Sequence, residues 1–165
     1  MKTVYIRYLA ALIVALSYNL FSMLLSPLTV FVSASFLPLF YDTIQVGNTI
    51  TIHAVPFVFI PACTATLAYI FLAELLLVTR GISFYMGSRM FLLGCLGIFV
   101  MNIARIIFLI TLYFSFGENY FDAVHIFFWQ VVSTVFVAVI WILLVERYKI
   151  KTIPIYSDMK ELLKG

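Results

Sequence analysis

Charged side chains are scarce in this chain: ten Lys and Arg and seven Asp and Glu in 165 residues. A water-facing surface carries roughly a quarter to a third charged residues. The supply here is too small to clothe a soluble domain. Cysteine and histidine are rarer still, at two each. Two thiols build no disulfide framework, and no Cys/His spacing of the metal-binding kind occurs, so no metal and no other cofactor is expected. Repeats and low-complexity linkers are missing too, which leaves one domain over residues 1–165. The net charge is only +3, and its basic residues lie in short segments between apolar runs. That pattern suits anionic lipid headgroups and not a nucleic acid.

Apolar residues are what the chain has in excess, at 65% of the sequence with a mean hydropathy of +1.15. A core of this size cannot hide that much apolar surface from water, so the surrounding solvent is lipid. Crossing a bilayer takes about 20 apolar residues. Segments of that kind run from about Tyr8 to Leu25, stopping at Ser26-Pro27, then Val55 to Thr79, Met90 to Phe114 and Val124 to Val145. Leu28–Tyr41 is too short for a sure span and reads as a kinked extension of the first helix or an interfacial segment. The fold class is therefore an all-α membrane protein, a bundle of about four transmembrane helices.

Positive charge orients the bundle. With four spans and both termini cytoplasmic, Lys2, Arg7, Arg80, Arg89 and the basic residues of the tail over 146–165 fall inside. Every Lys and Arg except Arg105 is then cytoplasmic, and Asp42, Glu118 and Asp122 lie outside. Counting Leu28–Tyr41 as a fifth span would split the basic clusters across the membrane. The basic N-terminus, apolar run and Ser33-Ala34-Ser35 superficially suggest a cleaved signal peptide, but the run is too long for a signal core. The expected location is the plasma membrane, with several passes.

Within these segments three residues stand out: Cys63, Arg105 and His125. Arg105 is 16 residues past Arg89, Cys63 is 17 before Arg80 and His125 is 22 before Arg147. A helix rise of 1.5 Å per residue puts them roughly 24, 26 and 33 Å from the inner face. All three then reach the outer boundary of a hydrocarbon layer about 30 Å thick. Cys95 lies about 9 Å from the inner face and reads as a packing residue. Glu74, at about the same depth, reads as a partner for a cytoplasmic Arg. His53 sits in the outer loop, away from the three.

A thiol, a base and a cation at one depth suggest nucleophilic chemistry. Cys63 follows Pro61-Ala62, so it is expected in the first turn of the second span, where free N–H groups favour a thiolate and an oxyanion. Taken alone, it reads first as a buried structural thiol. Asn102 and Arg105, three apart, share a helix face. Arg105 stabilises the thiolate or an oxyanion, or snorkels to a lipid phosphate. His125 serves as a general acid–base, or merely caps a helix at the interface.

An outward Cys at a helix start, Asn-x-x-Arg late in the next span and a His opening the following one resemble the exosortase/archaeosortase family of membrane cysteine transpeptidases. The resemblance covers roughly Ala54 to Val145 and, on size, is nearest to a small archaeal member. It implies that Cys63, Arg105 and His125 are the catalytic set, with Asn102 and Thr64 binding or orienting substrate. It also implies a membrane-anchored protein substrate bearing a C-terminal motif, a transmembrane helix and a basic tail. Cleavage beside the motif would pass the protein, through a Cys thioester, to a lipid acceptor. Two departures stand out. The family usually has Cys-Ser-Gly where this chain has Cys63-Thr64-Ala65, and often a Gly after the His where this chain has Phe127-Phe128-Trp129.

Between the spans, Thr43–His53 alternates apolar and polar residues around Gly47-Asn48 and predicts an outer β-hairpin over about 43–53. A loop of about three residues would put Ile44, Val46, Ile50 and Ile52 on one face. The hairpin either caps the bundle or offers an edge to an extended substrate. Asp158–Glu161 resembles a capping box and predicts a short cytoplasmic helix. Two alternatives to the enzyme are a non-enzymatic assembly or scaffold protein that binds headgroups and a transporter or channel subunit. Nearly apolar central turns argue against the last.

Overall fold

The computed structural model describes residues 2–150, so most of the tail, with the helix expected at Asp158–Glu161, lies outside the described residues. Helix α1 (Lys2–Leu16) and helix α2 (Tyr18–Phe36) follow one another with only Ser17 between them. The sequence predicts a stop at Ser26-Pro27; instead the break falls at Ser17 and α2 runs through Pro27. Ser17 donates its hydroxyl to the Ile13 carbonyl at 2.7 Å, a local bond that bends helices. Pro27 removes one N–H. Helices in lipid tolerate this because the alternative, an unwound backbone, exposes many more polar groups to hydrocarbon. Leu28–Phe36 is thus an extension of α2, closed by a 3-10 turn over Leu37–Leu39.

Three strands come next: β1 (Thr43–Val46), β2 (Thr49–Ile52) and β3 (Val55–Val58), an antiparallel meander in the order β1-β2-β3. The hairpin is where the alternation puts it, but its loop is the two-residue turn Gly47-Asn48, with Val46 opposite Thr49. That shorter loop shifts the register and reverses one strand's faces. Ile50 and Ile52 are fully buried, while Ile44 and Val46 point away and are 69% and 72% exposed. Only Gly47 has positive φ in this turn, at 59°, the first central position where a type II′ turn uses glycine. The second turn, His53-Ala54, holds two non-glycine residues at φ 47° and 67°.

β3 replaces the start of the expected second span. Val55–Pro61 is apolar, as a span would be, but it is rich in β-branched and aromatic residues between two prolines, which is strand chemistry. A 3-10 turn over Pro61–Thr64 leads to helix α3 (Thr66–Val78). Helix α4 (Phe84–Phe116) starts where the Ser83 hydroxyl accepts from the Met86 N–H and ends at Gly117, φ 89°. Helix α5 (Glu118–Phe127), a π-helical segment Phe128–Val132 and helix α6 (Ser133–Arg147) form one continuous run. In the extra-residue turn the Ser133 hydroxyl donates to the Phe128 carbonyl at 2.9 Å.

Among the described residues three helices are long and apolar enough to cross a membrane: Tyr18–Leu39, Phe84–Phe116 and Glu118–Arg147. The protein is a mostly helical membrane protein with those three and two shorter apolar helices, α1 and α3. Its interior has two centres. One gathers Val30, Leu37, Ile50, Ile52, Ile103 and Ile106, joining the sheet to α2 and the second half of α4. The other gathers Tyr69, Leu72, Met90, Ile98, Val137 and Leu144, joining α3, the first half of α4 and α6. Gly94 allows that second closeness, because a Cβ there would meet Leu72 and Leu144. Replacing Gly94 by Val is expected to destabilise the bundle by about 1–3 kcal/mol through overpacking, read as a lower midpoint of thermal unfolding in detergent.

Candidate active site

Strand β3 ends in the turn that carries Cys63. The turn is built from its own residues: the Cys63 N–H donates to the Ile60 carbonyl at 2.8 Å. The Thr64 hydroxyl reaches the Pro61 carbonyl at 2.7 Å and the Thr66 hydroxyl at 2.6 Å. Thr64 is 1% exposed, so it orients the turn from inside. Cys63 is not in the first turn of a helix. It lies in the 3-10 turn before α3, separated from that helix by Thr64 and by Ala65, which takes a left-handed φ of 53°. The sequence reasoning carried the helix one turn too far because Pro61 opens a 3-10 turn as readily as an α-helix.

Helix α4 holds this turn with two side chains. Asn102 donates its amide N–H to the Cys63 carbonyl at 2.9 Å. The Arg105 Nη2 donates to the same carbonyl at 3.1 Å and to the Ala62 carbonyl at 3.3 Å. Both residues are buried, at 3% and 5% exposure. The expectation that Asn102 and Arg105 share a face holds, and that face points at the Cys63 turn. The Asn102 Oδ1 and the Arg105 Nε remain without a hydrogen-bond partner. Arg105 thus has unspent donor capacity beside the thiol.

Cys63, Arg105 and His125 line one cleft of about 460 Å³. β3 forms one wall, α4 the floor and α5 the opposite wall, so residues far apart in sequence converge there. On α5, Asp122 and Glu118 line the same cleft and Phe121 stacks near His125, with ring centroids 5.5 Å apart. Asp122 and Glu118 had no place in the expected site. The i, i+3 spacing of Asp122 and His125 was the available signal. His53 stays apart, its ring packed edge-on against Tyr41 and Phe114. Cys95 borders the other core and lines neither cleft described here.

A second cleft, about 610 Å³, lies on the far side of the turn. Ala62 and Ala65 face it, and Arg105 belongs to both clefts. Glu74 lines it together with Gln130, Ser133 and Thr134. The central turns of the last span are therefore less apolar than they read, because Gln130, Ser133 and Thr134 share one face at i, i+3 and i, i+4 spacing. At the opposite end of α3, Arg7 donates from Nε to the Leu77 carbonyl at 2.9 Å and from Nη2 to the Val78 carbonyl.

Ala65 gives a direct test of the turn. A left-handed alanine is disfavoured by about 1–2 kcal/mol, and glycine recovers this minus its larger chain entropy. Ala65→Gly is expected to stabilise the protein by about 0.5–1 kcal/mol, seen as a raised unfolding midpoint. No change or a fall would show that the left-handed geometry is not held in solution. No protein-family model matches this chain, and no curated protein or solved structure matches it either.

Proposed function

We propose that the protein is a membrane cysteine transpeptidase of exosortase/archaeosortase type. The observation that carries this reading is the convergence of Cys63, Arg105 and His125 on one cleft from three separate elements. A buried arginine in a lipid-facing chain is costly and marks function. Here it is aimed at the backbone of the only cysteine in the cleft.

In this mechanism the Cys63 sulfur attacks a backbone carbonyl of a membrane-tethered polypeptide. Arg105, fixed to the turn through Nη2, directs its remaining donors at the developing oxyanion. His125 protonates the leaving amine as the C–N bond breaks, leaving a thioester on Cys63. An amine or hydroxyl, on a lipid acceptor, then gives its proton to His125, attacks the thioester and releases the thiol. The left-handed Ala65 also supports the family reading, since it occupies the position where the family's motif has glycine, the residue that adopts positive φ without strain.

The site belongs on the outer face, with both termini cytoplasmic. Arg7 and Arg80 support this orientation, because Arg7 binds the end of α3 that Arg80 follows, opposite the Cys63 turn. The experiment is to incubate the full chain with a membrane-anchored candidate substrate, quench in acid and locate the adduct by mass spectrometry. An acyl group on Cys63 is expected. Substrate processing with no thioester at any time point would overturn the mechanism. A chain that binds lipid and substrate with no processing at all would favour the scaffold alternative.

A further inference from the structure

Strand β3 has one partnered edge and one bare one. The pairing tells which backbone groups face each. The Phe59 N–H donates to the Asn48 carbonyl at 2.8 Å, which extends the β2–β3 register of Thr49 opposite Val58 and Ile50 opposite Phe57. Antiparallel pairs alternate between hydrogen-bonded and non-hydrogen-bonded. Val55, Phe57 and Phe59 therefore turn their N–H and C=O toward β2. Pro56, Val58 and Ile60 turn theirs the other way. Proline fits this register, because its missing N–H falls on the unpaired side.

The bare edge thus presents the Pro56 carbonyl, the Val58 N–H and carbonyl, and the Ile60 N–H. Among the described residues none of these four groups has a hydrogen-bond partner. Val55 to Ile60 all line the cleft that holds Cys63 and His125. Residues from both faces of the strand do so together, as an edge-on approach requires. The strand then passes directly into the Cys63 turn.

We infer that the bare edge of β3 binds an extended polypeptide segment by strand addition and lays its carbonyl across Cys63. The proposal rests on the transpeptidase reading and adds how the substrate is recognised. Main-chain bonds supply the binding, so side-chain demands are confined to alternate positions. Val58 is the central contact, since it offers both a donor and an acceptor. A substrate whose membrane helix follows the cleaved bond runs in the same sense as β3.

The test uses the full chain in detergent and acetyl-pentaalanine chloromethyl ketone, which alkylates a thiol at the position of the attacked carbonyl. The readout is the rate of alkylation at Cys63 and at Cys95, each located by mass spectrometry of the digested protein. Methylating each probe amide nitrogen in turn is expected to slow alkylation about tenfold at alternate positions only, the loss of one backbone hydrogen bond. Val58→Pro removes the outward donor without touching the ladder to β2, and is expected to slow the peptide probe about tenfold while iodoacetamide reacts as before. Alkylation of Cys63 that ignores both the methyl position and Val58→Pro would overturn edge binding and leave the nucleophile in place. If Cys63 reacts no faster than Cys95 with either reagent, the nucleophile reading fails and the edge proposal falls with it.

Discussion

Cys63→Ala is expected to reduce acyl transfer by about 10⁶-fold, the loss seen when a covalent nucleophile is removed from a working site. No other thiol can replace it, because Cys95 borders the core between α3, α4 and α6 and lines neither cleft. Cys95→Ser is therefore expected to keep full activity. The measurement is the fraction of a membrane-anchored substrate converted, followed by gel shift with purified protein in vesicles. Cys63→Ser is a useful companion, since a hydroxyl keeps the turn's shape and loses most of the nucleophilicity at neutral pH. Normal processing by Cys63→Ala would sink the enzyme reading.

Arg105→Ala carries the second large effect, and it is expected on two readouts. Removing the guanidinium leaves the Ala62 carbonyl without its donor and the Cys63 carbonyl with Asn102 alone. One orphaned buried carbonyl costs about 1–3 kcal/mol of stability. Transfer is expected to fall about 10²–10³-fold, the range for losing an oxyanion donor. Arg105→Lys separates charge from geometry. It keeps the cation but gathers its donors on one nitrogen, without the fixed spread by which the planar fork holds two carbonyls and points a further donor elsewhere. The lysine variant is expected to stay at least about tenfold below wild type. Wild-type rates in both variants would show that Arg105 only braces the fold. Asn102→Ala, which removes one bond from the same carbonyl, should show the stability loss with the smaller catalytic one.

The sequence carried the site better than the spans. Counting residues from the basic clusters puts Cys63, Arg105 and His125 at one level, since helix rise is nearly constant whichever way the chain runs, and the three line one cleft. The count stays useful even though part of the path from Cys63 to Arg80 is a 3-10 turn. Span ends were harder to read, because apolar composition does not separate a strand from a helix. Val55–Val58 is as hydrophobic as α3, and only its proline flanks and β-branched residues speak for a strand. Pro27 lies inside α2 without ending it, and the break comes at Ser17, whose hydroxyl bonds back to the Ile13 carbonyl. Hairpin placement was legible from alternation, while its faces depended on one residue of loop length. The partners Asp122 and Glu118, and the polar face of Gln130, Ser133 and Thr134, needed the packing of α5 and α6 to give them meaning.

Helix α3, at 13 residues, is about 20 Å long, whereas a typical hydrocarbon layer is about 30 Å thick. Arginines grip the carbonyls at its two ends, Arg105 just before it and Arg7 at its close, so it cannot lengthen by drawing in flanking residues. Helices α1, α2, α4 and α6 all pack against α3 and each is longer, so the Cys63 turn stands on an inner strut that is shorter than the helices around it.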